Sequence, residues 1–435
     1  ILNRSAGSNR LLKLQGILSG SGNLTVTDTA ATMTNSQTGF ILTGENTFDG
    51  TLTISTGTPL RVGGVPGNTD ANQSGADAFG TLGSATVVNN GTLTFSRTDS
   101  HTIANPISGS GQVVIGLTTG TTAQIVTFTG TKSYTGATTV NNGMLVLNST
   151  LSNSAVTVNS AGTLAGTGAL AAAATVNGTI SPGSSVGTLT SSASVSFENN
   201  AIYQWEIGDW NGGAGSGYDT LQTATLAINS APATPAVIKI TPLSLANFSE
   251  TAKTFTLATT SGGISGLDAG DITVDATAFA GAGTWVVQQN GNALELVYSV
   301  GSAYDAWETA NGIPAAGADT DSDGDGISNG IEFVIGGDPS GPGSDSNALL
   351  PTVTTDASYL NFVFRRSDAS AYLNPSVEYS VSLAGWTEAQ AGVDGVIIDE
   401  VADGFGTGID QVTVRIPRNP GPAGALFARL RAHVP

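Results

Sequence analysis

Oxygen-bearing side chains crowd one stretch of this chain, Asp319-Thr320-Asp321-Ser322-Asp323-Gly324-Asp325-Gly326-Ile327-Ser328-Asn329-Gly330-Ile331-Glu332. Counted from Asp321, side-chain oxygens fall at the first, third, fifth, ninth and twelfth positions, and Gly326 stands at the sixth. A hard divalent cation needs about six to eight oxygens converging on one point, and this order supplies them. Alternating Asp residues turn every second side chain inward, Gly326 allows the sharp bend, and Ile327 offers its main-chain carbonyl. Glu332 would close the shell with both oxygens from the first turn of a helix. Asp319 is a further ligand or marks a register that begins two residues earlier. The chemistry is Ca2+ binding; a solvated acidic linker, the competing account, leaves spacing, glycine and terminal Glu unexplained.

Such a loop must be held by its flanks. Residues 303 to 310, Ala-Tyr-Asp-Ala-Trp-Glu-Thr-Ala, read as a short helix. Ser328 to Ile335 read as another, stopped by Gly336-Gly337 and Asp338-Pro339. The order is that of an EF-hand-type loop. Sensor proteins of that type pair their loops and expose a Met-rich groove, whereas this chain has one loop and 2 Met. Residues 301–345 are therefore expected to be a calcium-binding helical joint that stiffens the junction between β-rich regions.

The 435 residues carry a net charge of −19 although only 11% of them are charged. A chain so poor in Lys and Arg is a poor ligand for nucleic acid or an anionic membrane surface. No apolar run reaches the roughly 18–20 residues of a membrane span, so no membrane insertion is expected. With 0 Cys, disulfide staples are excluded, and stability must come from repetition, calcium or assembly. The first residue is Ile1, which leads to the expectation of a processed product with an export signal removed.

The 58 glycines, with abundant Thr, Ser and Asn, punctuate short apolar-alternating units. Leu18-Ser-Gly20-Ser-Gly22-Asn-Leu24 returns as Ile107-Ser-Gly109-Ser-Gly111-Gln-Val113, and loosely as Leu164-Ala-Gly166-Thr-Gly168-Ala-Leu170. Gly44-Glu-Asn-Thr-Phe48-Asp-Gly50 returns as Gly130-Thr-Lys-Ser-Tyr134-Thr-Gly136, and Asn89-Asn-Gly91 as Asn141-Asn-Gly143. Units of this kind cannot bury a core alone and must stack. The expected fold is mainly β: a parallel β-helix over residues 1–190, with inward Leu, Val, Ile and Phe in continuous columns. An antiparallel sandwich array is the competitor.

The segment 130–148, Gly-Thr-Lys-Ser-Tyr-Thr-Gly-Ala-Thr-Thr-Val-Asn-Asn-Gly-Met-Leu-Val-Leu-Asn, resembles the autotransporter-associated β-strand repeat of bacterial passenger domains. Residues 176–189 resemble the segment that commonly follows such repeats. The acidic loop is similar to thrombospondin type 3-like calcium repeats. The resemblance implies a right-handed parallel β-helix, export, and a secreted, extracellular or bacterial cell-surface location. The family's translocator barrel does not follow here, so another export route or cleavage from a precursor is expected.

Residues 191–300 are expected to continue or cap the β-helix, and residues 346–435 to form a small β-sandwich. The tail carries Arg365, Arg366, Arg415, Arg418, Arg429 and Arg431. These read as edge-strand charge, or as a basic end docking on an acidic neighbour.

No catalytic set emerges, so no enzyme is expected. His101, beside Asp99 and Ser100, and His433 are distant in sequence. Glu45 and Asp49 occupy repeat positions filled by Thr131 and Thr135, which marks them as turn decoration. Asp209 and Asp219 flank a Gly-rich loop at Trp210, which reads first as a surface loop with a buried Trp; with Tyr203, Trp210 is the only candidate platform for stacking a sugar. The leading functional expectation is an extracellular structural protein, a calcium-clipped β-helical subunit that self-associates head to tail into a fibre or surface layer. The alternative is a monomeric surface adhesin or carbohydrate-binding protein recognising glycans.

Overall fold

The computed structural model describes residues 1–4, 11–28, 39–64, 79–117, 124–281, 283–341, 346–418 and 425–432. It divides into two compact units, Ile1–Val300 and Gly301–Pro435. The first is almost entirely short strands, paired in parallel with strands earlier and later in the sequence.

Three ladders run through the first unit. One begins with Leu2–Arg4 and Leu24–Asp28 and reaches Thr220–Thr223 and Lys253–Thr260. A second runs from Leu11–Leu14 and Gly39–Leu42 to Thr225–Ile228 and Ile264–Ser265. A third runs from Ser100–Ile103 to Ala236–Ala246 and Ile272–Asp275. The long strands Thr138–Leu147 and Val156–Gly166 serve the second ladder with their first halves and the third with their second halves. The repeat length varies: Val140 pairs with Val158, 18 residues on, whereas Leu221 pairs with Ala258, 37 residues on.

Parallel register puts like positions on top of one another, and this is where the core comes from. In the second ladder Leu42, Val62, Phe95, Ile115, Val140, Val158, Val176, Phe197 and Ile228 form one continuous column of buried side chains. Burial of each such side chain from an exposed state is worth about 1.5–3 kcal/mol. The repeat glycines are steric requirements of the stacking. A Cβ on Gly136 would lie 2.2 Å from the carbonyl oxygen of Gly111, and one on Gly111 would lie 2.3 Å from that of Gly91. The repeated aromatic, Phe48 in one repeat and Tyr134 in its counterpart, is buried in both. Tyr134 ends a buried hydroxyl chain through Thr138 and Ser154, with O···O separations of 2.6 and 2.7 Å.

The parallel run ends where Lys253–Thr260 pairs antiparallel with Ala293–Ser299, itself hairpinned to Thr284–Asn290. Trp205, Trp210, Phe255, Phe279, Trp285 and Tyr298 pack edge to face there.

The second unit holds helices α1 (Ala303–Ala310) and α2 (Asn329–Ile335) together with two antiparallel sheets. Thr352–Thr355, Tyr359–Ser367, Ile409–Pro417 and Ile397–Val401 make one sheet; Thr387–Glu388, Ser376–Ser380 and Phe427–Arg431 make the other. Leu360, Phe362, Phe364, Val377, Val412, Val414 and Ile416 form their shared core. Strict alternation along Tyr359–Phe364 and Ile409–Pro417 places these residues on one face.

Candidate metal centre

Helix α1 starts with a full capping box: Asp305 N–H donates to Ser302 Oγ and Ser302 N–H to Asp305 Oδ2. Its Tyr304 and Trp307 pack against Phe333 of α2, with ring centroids 5.3 and 5.5 Å away. The buried Glu308 reaches past the helix end, accepting from the amides of Ala315 and Gly317, so the approach to the acidic loop is held in place. Helix α2 closes on Gly336, whose left-handed φ of 73° favours glycine. Its last carbonyls are taken by the sheet: Ser367 Oγ donates to Phe333 O at 2.7 Å and Arg365 Nε to Ile335 O at 3.0 Å. Loop and sheets thus belong to one unit.

Between the helices the loop folds around its own carboxylates. Asp321 accepts from the amides of Gly324 and Gly326 at 2.8 and 2.9 Å. Asp323 accepts from Asp325 N–H at 3.1 Å, and Asp325 from Ile327 N–H at 2.8 Å. These turns bring one carboxylate oxygen from each of Asp321, Asp323 and Asp325 within 4.8 Å of one another. Asp321 is exposed, while Asp323 and Asp325 are half-buried. Among the described residues this is the single such acidic group.

Glu332 lies outside that group of three but close enough to feel the charge of each, and it is fully buried. Its Oε1 accepts from Ser346 Oγ at 2.7 Å, whereas its Oε2 is buried without a hydrogen-bond partner. Burial pushes its pKa up to about 7, and the charges of Asp323, Asp325 and Asp321 add to the rise. An orphaned buried carboxylate oxygen next to three converging carboxylates is a donor set that lacks positive charge. All the oxygens are hard. The arrangement fits a divalent cation such as Ca2+, which would neutralise the repulsion and satisfy the orphan.

Ile327 buries its side chain and so anchors the loop. Asn329 is fully buried; its Oδ1 accepts from Ser322 N–H, and its amide donates to Gly317 O and Ser322 Oγ. That side chain braces the loop's own backbone. Asp319 is exposed and outside the three-Asp group. Sequence reasoning missed Ser346 and Glu308. Glu308 lay in a helix whose inward face was unassigned, and no pattern in the sequence connects Ser346 to Glu332.

The proposed sugar platform is not formed by Trp210 and Tyr203. Trp210 is 1% exposed and Tyr203 2% exposed, so neither presents a ring face to solvent. Tyr203 stands in an inward column with Val126, Leu145, Leu164, Ile180 and Ile238, and its hydroxyl donates to Leu257 O. His101 heads the same column above Val126, and burial lowers its pKa to about 4. It lies against Phe95 as a neutral packing residue. His433 lies outside the described residues. Glu45 and Asp49 are exposed in turns.

The tail arginines are engaged within the unit. Arg429 and Arg431 both bind Glu378, Arg366 binds Glu400 and Asp410, and Arg415 binds Asp399. Arg418 donates to Asp356 O and Arg365 to α2.

No helix among the described residues is long and apolar enough to cross a membrane. The chain matches no protein-family model, and no curated protein matches it. What the geometry defines is a mainly β protein with extensive parallel sheets and an acidic loop fitted to a divalent cation.

Proposed function

We propose that this chain is an extracellular structural protein. Residues 1–300 form a parallel β-helix rod finished by the antiparallel hairpin, and residues 301–435 form a β-sandwich unit clipped by Ca2+. Copies join head to tail into a fibre or surface layer. The observation that carries this reading is the unbroken parallel pairing, with its apolar column from Leu42 to Ile228. Stacking of this kind suits a load-bearing body. The resemblance of residues 130–148 to passenger-domain repeats supports an exported protein.

Head-to-tail joining is supported by strand edges. Among the described residues, Ile264–Ser265 and Ile272–Asp275 each pair on one side only. Unpaired edges template further strands, and an unclosed heterologous contact produces filaments. The adhesin alternative has no aromatic platform at Trp210 or Tyr203 to support it.

Negative-stain electron microscopy of the purified chain, in calcium and then in chelator, tests the proposal. Uniform fibres that fray or shorten without calcium are the expected result. Isolated particles under both conditions would overturn the assembly.

A further inference from the structure

We infer that Ser346, outside the acidic loop, is the positioning residue of the cation site and couples its occupancy to Asp338 and to residues 346–349. The inference rests on the reading of the loop as a divalent-cation site.

Three strands of contact meet at this one buried serine. Its Oγ–H donates to Glu332 Oε1 at 2.7 Å, and its Oγ accepts from Asp338 N–H at 3.2 Å. Its own N–H donates to Asp325 Oδ2 at 2.7 Å. Ser346 therefore grips two acidic residues at once, one from the loop and one from α2. In each it engages a single oxygen, and in Glu332 the other oxygen is the unpartnered one. The neighbouring Asn347 reinforces the grip by donating its side-chain amide to Asp325 O at 3.2 Å.

Space around the serine is closed. A Cβ on Gly337 would lie 2.6 Å from Ser346 Oγ and 2.9 Å from Glu332 Cβ. The glycine lets helix end, serine and carboxylate close on one another. A hydroxyl that fixes the rotamer of a buried carboxylate beside a metal site sets how that carboxylate can meet the ion, and loss of such supports costs about 10- to 100-fold in metal affinity. Coupling follows from the same bonds. A cation that draws in Asp325 and Glu332 orders Ser346, which tethers both.

Titration calorimetry with Ca2+ on the full chain, for wild type, Ser346→Ala, Ser346→Thr and Glu332→Gln, tests this. Ser346→Ala is expected to bind about 10- to 100-fold more weakly and to lose most of the calcium-dependent rise in melting temperature. The hydroxyl-bearing Ser346→Thr is expected to recover most of the affinity. A serine that merely supports the fold would lower melting equally in calcium and in chelator, leaving affinity unchanged; that outcome overturns the inference while the cation site stands. Wild type that binds no calcium overturns the site itself. Should Ser346→Ala fail to fold, hydrogen exchange on wild type decides. Exchange in 346–349 is expected to slow with calcium alongside that of 319–329, and slowing confined to 319–329 refutes the coupling.

Discussion

Two buried carboxylates, one in each unit, are handled in opposite ways. Asp219 in the first unit is fully buried, and both its oxygens are satisfied: Gly187 N–H donates to Oδ1 at 2.8 Å and Glu206 N–H to Oδ2 at 3.0 Å. Its backbone is tied down as well, with Trp205 Nε1 donating to its carbonyl at 2.9 Å. Glu332 in the second unit is equally buried, yet one oxygen has no partner and three Asp residues stand nearby. The first is a staple between segments; the second keeps an acceptor oxygen unpaired beside carboxylates that could hold a divalent cation. Burial alone does not separate them, because it raises the pKa of both. Satisfaction of the lone pairs does.

The largest effect should come from removing the staple. Asp219→Ala leaves the amides of Gly187 and Glu206 buried without acceptors, at about 1–3 kcal/mol each. A loss of roughly 4 kcal/mol in denaturant unfolding is expected, the same in calcium and in chelator. Calcium rescue of this variant would contradict the assignment of Asp219 as purely structural.

A pH series sharpens the contrast. Each group is an acid whose pKa rises on folding, so the folded state holds more protons than the unfolded one, and stability falls as pH rises through the interval between the two values. For Asp219 the interval runs from 3.8 to about 8, with burial the main cause and the two amides opposing it. For Glu332 it runs from 4.5 to about 7. A bound cation favours the ionised form of Glu332 and does nothing for Asp219. The stabilisation conferred by calcium should therefore grow between pH 5 and pH 7, riding on a decline that calcium leaves in place. Melting temperatures across that range, with and without chelator, measure it. A calcium increment that stays flat with pH would remove Glu332 from the site.

The same pair shows what was legible in the chain. The acidic loop could be read because its carboxylates are local: Asp321, Asp323 and Asp325 alternate along the chain, and the turn residues lie among them. The stacking could be read from Gly91, Gly111 and Gly136, since a close approach of backbones repeats wherever the motif does. The alternation of Tyr203, Trp205 and Ile207 was visible, but which face met solvent was not. Their burial is decided by the ladder above and the hairpin from Thr284 to Ser299. Asp219 read as a flank of the Gly-rich loop at Trp210, and only the fold reveals the amides of Gly187 and Glu206 around it. Ser346 was invisible for a similar reason, because its bond to Glu332 spans 14 residues and belongs to no pattern.

The smallest expected effect discriminates best. Glu332→Gln keeps an acceptor for Ser346 Oγ–H and replaces the unpartnered buried carboxylate oxygen by an amide donor. In chelator at pH 8 this removes like-charge repulsion and supplies a donor for the crowded carboxylates. A gain of about 1 kcal/mol is expected there, within the range of one hydrogen bond. In calcium the sign reverses, because the amide cannot give the ion the charge of a carboxylate, and wild type becomes the more stable protein. The crossing of the two stability orders is the signature of a cation site. A structural carboxylate such as Asp219 has no reason to produce it, since its neutral replacement loses acceptors under both conditions. Denaturant titrations of Glu332→Gln and wild type, in calcium and in chelator, measure the crossing; parallel shifts would make Glu332 a second staple.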